Sequence, residues 1–345
     1  MSVVTQVNVN PNPIFDAREE RDRWAKLARR AGRFRILIMG RANAGKTTIL
    51  KKICNTTDEP EIYNSEGEKI DRSSIEPTAK RGIHDINNEM IFQSNPGFIF
   101  HDSRGFEAGG SDELQNVKRF VSERSKERKL VNQVHVIWYC IPLDDSRPFQ
   151  HAEDQFFSEV GTGKVPVVVV FTKCEALEHE AVNILEEQGH SFKDAVKGSA
   201  NYAKKHLQIA HIKLQNYKYQ PKGHVYLQEM EKPNTNCKIL VECTADVLDS
   251  STLQAIFVST QQASLEISIK YAIEKTMYQY LKKDMMKEYM SEDTKDFLWM
   301  MLKNTMRYFP YWRVCIRWKK SILLLTMTKT DSLWVPGPFL YPNSV

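Results

Sequence analysis

The residues best able to do chemistry form a tight run near the front of the chain. Gly40-Arg41-Ala42-Asn43-Ala44-Gly45-Lys46-Thr47 fits GxxxxGK[ST] in full, with Thr48 following. The two glycines let the backbone curl until successive N–H groups point inward, and a helix N-terminus adds its partial positive charge to the same spot. That arrangement suits phosphate. Lys46 is placed to reach the outer phosphates of a nucleotide, and Thr47 to offer its hydroxyl to Mg2+, while Asn43 and Ala44 contribute mainly backbone amides. The binding stretch is therefore read as Arg41 to Thr48.

Three further groups could complete such a site. GFIF runs into His101-Asp102-Ser103-Arg104-Gly105, a DxxG whose Asp102 can hold Mg2+ through water and whose Gly105 N–H can sense a γ-phosphate. Between this and the phosphate loop, Thr78 is the expected second hydroxyl on the metal, with Thr56, Thr57, Ser73 and Ser74 as competitors. Thr172-Lys173-Cys174-Glu175 follows VPVVVVF. A carboxylate such as that of Glu175 can accept two parallel hydrogen bonds from guanine, which adenine cannot donate, and Lys173 can lay its stem along the base. Thr244-Ala245, after the apolar Ile239 to Val241, offers a small residue whose amide could approach the guanine oxygen.

These groups need elements to hold them. Phe34 to Met39, Phe98 to Phe100, Val134 to Ile141, Val165 to Phe171 and Ile239 to Val241 read as buried strands. Helical patterns occupy Lys46 to Cys54, Asp112 to Leu130, Phe149 to Val160, Glu175 to about Ala210, and Ser251 to about Met290. A polar stretch from 211 to 236 reads as an insertion or loop. Alternating strands and helices predict a mainly parallel α/β sheet with helices on both faces. Leu114, Val117 and Val121 read as the packed face of their helix, His101 and His135 as satisfied core histidines, and Trp138 as core filling.

Composition narrows the class. With 345 residues, 41% apolar and 26% charged, the chain can bury a real core without a metal or disulfide staple. Cys54, Cys140, Cys174, Cys237, Cys243 and Cys315 form no CxxC pair, so buried thiols in a reducing, cytoplasmic setting are expected. No signal peptide or membrane span is read in the sequence. The net charge of +5 is unevenly spread. Eight basic residues face four acids between 16 and 35, and seven face Asp331 alone beyond 300, leaving −5 in between. The charged stretch 14–31 reads as a helix. The tail mixes its bases with Trp299, Trp312, Trp318 and Trp334, a composition suited to lipid, nucleic acid or a protein partner, or to packing back on the body.

Taken in order over residues 34 to 280, GRANAGKT, HDSRG, TKCE and CTA resemble the G domain of the P-loop GTPase superfamily, most of all its Era- and septin-like branch and fungal G domain-containing proteins. The resemblance implies a three-layer P-loop fold over 34–280, with a lead and charged helix over 1–33 and a basic, aromatic-rich extension over 281–345. It implies a switch that hydrolyses GTP to GDP with Mg2+, through Lys46, Thr78 and Gly105, and a protein effector or homodimer as partner. Two positions depart from the family pattern. Glu175 stands where Asp is usual, and Phe106 where Ras-like proteins carry the Gln that orients the attacking water. Slow intrinsic turnover follows. The alternatives are a hydrolysis-poor interaction module with a structural nucleotide, and a hydrolase with relaxed base choice.

Overall fold

The computed structural model describes residues 33–70, 85–103, 111–145, 147–261, 263–277 and 305–309. All lie in the compact unit Met1–Pro310; the second unit, Tyr311–Val345, holds none of them. The helix expected over 14–31 and the aromatic tail beyond 310 fall outside the described residues.

Strand β1 (Phe34–Gly40) is buried at every position. A run such as FRILIMG sends apolar side chains to both faces, so it is stable only inside a sheet covered on both sides. It pairs in parallel with β5 (Phe98–Asp102) and with β6 (Val136–Pro142). Beyond β6 the parallel part continues through β7 (Val167–Thr172) and β8 (Gly223–Tyr226). Three short strands, β2 (Glu61–Tyr63), β3 (Lys69–Ile70) and β4 (Glu89–Ile91), form an antiparallel edge that the sequence reading did not include. The order across the sheet is β3-β2-β4-β5-β1-β6-β7-β8. Consecutive parallel neighbours diverge from β1 in opposite directions, which opens a crevice at its C-terminal end.

The helices divide between the two faces. On one lie α1 (Lys46–Ile53), α6 (Lys238–Val247), α7 (Ser251–Thr260) and α8 (Leu265–Ala272), packed on Ile36, Ile38, Trp138 and Val168. On the other lie α2 (Ser111–Lys126), α3 (His151–Glu159), α4 (Glu175–Glu187) and α5 (Phe192–Gln215), packed on Leu37, Met39, Tyr139 and Val169. The result is the three-layer α/β arrangement expected. Leu114, Val117, Phe120 and Val121 form the buried face of α2, and Trp138 is fully buried. Tyr308, returning from residues 305–309, is buried in the first core. Among the described residues no helix is long and apolar enough to cross a membrane.

Several expected elements are corrected. The helix expected from Glu175 to about Ala210 is two: Gly189, at φ 90°, turns the chain, and Ser191 caps α5 by accepting from the Asp194 N–H. The one expected from Ser251 breaks after Thr260, where the buried Gln261 side chain bonds both the N–H and the carbonyl of Ser264, the cap of α8. Ile239 to Val241 is not a strand but part of α6. A three-residue apolar run has no period of its own, and its neighbours continue the helix. The polar stretch 211–236 holds the real last strand, β8, disguised because it is an edge strand with Val225 as its one fully buried residue.

Buried polar groups pin the lower part of the sheet. Arg35, on β1, pairs with Glu89 at 2.6 Å and donates to the Val131 carbonyl. Its guanidinium also lies 3.1 Å from His101 Nε2, while His101 Nδ1 lies 3.0 Å from the Ile86 carbonyl. Only one tautomer serves both contacts, with Nδ1 as donor and Nε2 as acceptor. His135 likewise accepts the Arg35 N–H at Nδ1 and donates from Nε2 to Leu130 O. Burial pushes His101 down to about 3 and His135 down to about 4 from the usual 6.5. The unfolded chain therefore takes up these protons first as pH falls. Their contribution is whole above about pH 6.5 and is lost progressively towards pH 4, at up to ~1.4 kcal/mol per pH unit for each histidine. Urea unfolding midpoints should fall from about pH 6.5 down to pH 4.5, with a shallower fall in His135→Asn.

Candidate nucleotide-binding site

The phosphate loop begins where β1 can no longer carry a side chain. Gly40 pairs with Cys140 of β6 and has φ 134°, and a Cβ built there would stand 2.2 Å from the Cys140 carbonyl oxygen. Glycine is required on both counts. The loop then curls through Asn43 at φ 60° and Gly45 at φ 76°, left-handed turns that bring successive N–H groups to one side. Helix α1 starts at Lys46 with no acidic residue in its first turn, so its positive end is not compensated by its own sequence. Lys46 Nζ reaches back into the curl and donates to the carbonyls of Gly40 and Arg41, both at 3.0 Å. Thr47 is exposed on the first turn, Thr48 is half-buried, Ala42 is exposed, and Ala44 is buried as the floor of the loop.

The end of β7 braces this loop. Thr172 Oγ1 donates to the Ala44 carbonyl at 3.0 Å, and Leu143, just past β6, donates its N–H to Thr172 O. Lys173, at φ 55°, pairs with Asp144 at 2.5 Å. Glu175 opens α4, and its Oε2 accepts the Glu229 N–H at 2.8 Å. Leu227 N–H donates to Phe171 O, and Cys174 N–H to Leu227 O. The loop after β8 is thereby stitched onto the Thr172–Glu175 turn. Its far end is held by Lys52 of α1, whose ammonium donates to the carbonyls of Lys232, Pro233 and Thr235.

A family model described as 50S ribosome-binding GTPase matches residues 35–173. This stretch is a P-loop GTPase domain. Two solved structures similar to the chain are a mutant of S. thermophilus NFeoB bound to GDP and a GTP-binding protein from the hyperthermophilic archaeon Sulfolobus solfataricus in complex with GDP. The first is 12% identical, with 86% of this chain and 100% of that chain covered and a TM-score of 0.32. The second is 10% identical, with 67% and 55% covered and a TM-score of 0.30. Both scores are low, and the assignment rests on the matched stretch and the order of its motifs. No curated protein sequence matches the chain.

Within the GTPase domain the structure brings Arg41 to Thr48, Asp102, Thr172, Lys173 and Glu175 to one end of the sheet. Asp102 ends β5 in register with Ile38, two residues before Gly40. Thr78, Gly105 and Phe106 fall outside the described residues. Thr244 and Ala245 are a correction, because the strand expected before them is helix α6. Both are buried: Thr244 Oγ1 accepts from Trp138 Nε1 at mid-strand, and Ala245 O accepts from Gln254. The loop after β8, and not Thr244–Ala245, is bonded to the Thr172–Glu175 turn. Its only sequence signal was the short GHVY before it. Arg41 also differs from a phosphate ligand. Its side chain turns away to Asp145 and to the Pro148 carbonyl, leaving its backbone to the loop. Asp144, Asp145, Glu153 and Lys52 were all missed, since contacts this distant leave no local pattern.

Thr47 and Asp102 are both oxygen donors at the ends of neighbouring elements, a set that suits a hard cation retaining water. The described cysteines do not compete for chemistry. Burial lifts Cys54, Cys140, Cys174 and Cys237 to about 12, and the half-buried Cys243 to about 11. Gly40→Ala should cost ~2 kcal/mol or more, because the added methyl meets backbone rather than a movable side chain. Thermal and urea unfolding will show this; Gly67→Ala, where a Cβ meets nothing within 4 Å, is the comparison for φ strain alone.

Proposed function

We propose that the protein binds GTP and GDP with Mg2+ at this site and hydrolyses GTP slowly, acting as a nucleotide-dependent switch. The observation that carries the reading is the curl Gly40–Thr47, with Lys46 inside it and the end of β7 braced on Ala44. In this reading the backbone amides of residues 43 to 47 and the Lys46 ammonium hold the β and γ phosphates. They also stabilise the charge that develops as the terminal phosphoryl transfers to water. Thr47 and Asp102 would hold Mg2+, which supplies charge neutralisation on the phosphates. The segments around Thr78 and Gly105 would respond to loss of the γ-phosphate, and the domain would span 34–280 between its two extensions.

Base choice in this reading falls to Glu175 and the loop after β8. Glu175 already accepts the Glu229 amide with one oxygen, so it meets a base with fixed orientation despite its extra methylene. The basic ends are the natural place for a membrane, nucleic-acid or effector contact, and buried thiols agree with a cytoplasmic setting.

Nucleotide released by heat from the purified protein should be GDP or GTP. Mant-GDP should bind, and Lys46→Ala should abolish that binding. Single-turnover phosphate release should be slow, on the order of 10⁻³ s⁻¹ or below, because Phe106 offers no group to orient water. Release no faster than in Lys46→Ala identifies an interaction module with structural nucleotide, and efficient displacement of mant-GDP by ATP defeats guanine selectivity. Absence of both co-purifying nucleotide and mant-GDP binding refutes the central reading.

A further inference from the structure

Two neighbouring carboxylates just past β6 each hold a basic residue of a different ligand loop. Asp144 pairs with Lys173 of the base-side turn at 2.5 Å, and Asp145 pairs with Arg41 of the phosphate loop at 2.9 Å. The chain around them is anchored on both sides. Leu143 N–H donates to Thr172 O, and Arg41 reaches on to the Pro148 carbonyl at 2.8 Å. Asp145 also accepts the Arg147 N–H and the Gln150 amide, so its carboxylate is the hub of the turn into α3. Beneath it Glu153, fully buried in the first turn of α3, lies 3.5 Å from Arg41 Nε and accepts the Gln150 N–H.

The chemistry of the pairs is unequal. Lys173 and Asp144 are both partly exposed, so their pair is weak by itself and screened by salt. Arg41 is 8% exposed and fans its donors over Asp145, Pro148 and Glu153, a geometry lysine cannot reproduce. Removing a partner there strands a buried charge. The Arg147 N–H first, and then Arg41, hold the Asp145 carboxyl below its usual range, so it stays ionised at neutral pH.

We propose that Asp144 and Asp145 are positioning residues that hold the base-side turn and the phosphate loop in register, so that nucleotide affinity depends on two carboxylates that themselves touch no ligand. Asp145 acts through Arg41, whose backbone opens the phosphate loop; Asp144 acts through Lys173. The proposal rests on the nucleotide-binding reading of the same site and goes beyond it in naming what sets the loop geometry.

The test uses the full chain and mant-GDP, with Asp145→Asn, Asp144→Asn, Arg41→Met and the double variant Asp145→Asn/Arg41→Met. Asp145→Asn should speed mant-GDP release roughly tenfold, the scale of one charge-assisted hydrogen bond. The double variant should release no faster than Arg41→Met alone, because both changes remove one interaction. The loss in Asp145→Asn should be seen with GDP as competitor and be much smaller with guanosine, which a general loosening of the fold would not produce. Asp144→Asn should weaken guanosine competition as well. Unchanged release rates, additive rates in the double variant, equal losses for GDP and guanosine in Asp145→Asn, or unaltered guanosine competition in Asp144→Asn overturn the positioning role. If the unaltered protein does not bind mant-GDP, the nucleotide reading itself fails and takes the proposal with it.

Discussion

The meeting of Gly40 with the carbonyl of Cys140 is the contact on which the site depends. Strand β1 is central, flanked in parallel by β5 and β6, and its last residue is pressed against its neighbour's backbone. With no room for a Cβ there, the chain leaves the sheet at φ 134° and enters the curl. Everything downstream inherits that exit: the left-handed turns at Asn43 and Gly45, the start of α1, and the reach of Lys46 back to Gly40 and Arg41.

Charge around the site is arranged locally and not by the bulk of the molecule. The central body is mildly acidic, while the basic excess lies at the two ends. In the proposed reading, attraction for phosphate falls to the Lys46 ammonium, a helix end without acidic residues, and a few amides. Among the described residues, two further basic side chains close by are each taken up by a carboxylate, Arg41 by Asp145 and Lys173 by Asp144. Cations that could crowd the cradle instead tie its walls together. Lys52 does the same on the far side, crossing from α1 to the loop after β8.

The two halves of the site differ in how they are made. The phosphate half is contiguous: a strand end, eight loop and helix residues, and their backbone. The half proposed to meet the base is assembled from the ends of β7 and β8, joined by the Glu175 to Glu229 hydrogen bond. Its parts lie over 50 residues apart, separated by the two helices α4 and α5. Such a site needs the sheet to be complete before it exists.

That difference sets what could be read from the residues alone. GRANAGKT after FRILIM determined the phosphate loop, because its chemistry is backbone geometry and backbone geometry is dictated by glycines at fixed spacing. The runs VHVIWYCI and VPVVVVF determined central buried strands, since nothing else hides two apolar faces, and the spacing of Leu114, Val117 and Val121 determined the packed side of α2. The short strands β2, β3 and β4 on one flank of the sheet and the edge strand β8 on the other were not legible in this way. Strands exposed on one side carry mixed sequences, and GHVY looked like loop while ILV looked like strand. Only tertiary structure decided that Thr244 lies under Trp138 inside a helix, that the loop after β8 meets Glu175, and that Arg41 turns to Asp145. Each of these is a contact between residues about 50 or more positions apart, whose energy comes from burial and pairing that no local pattern encodes.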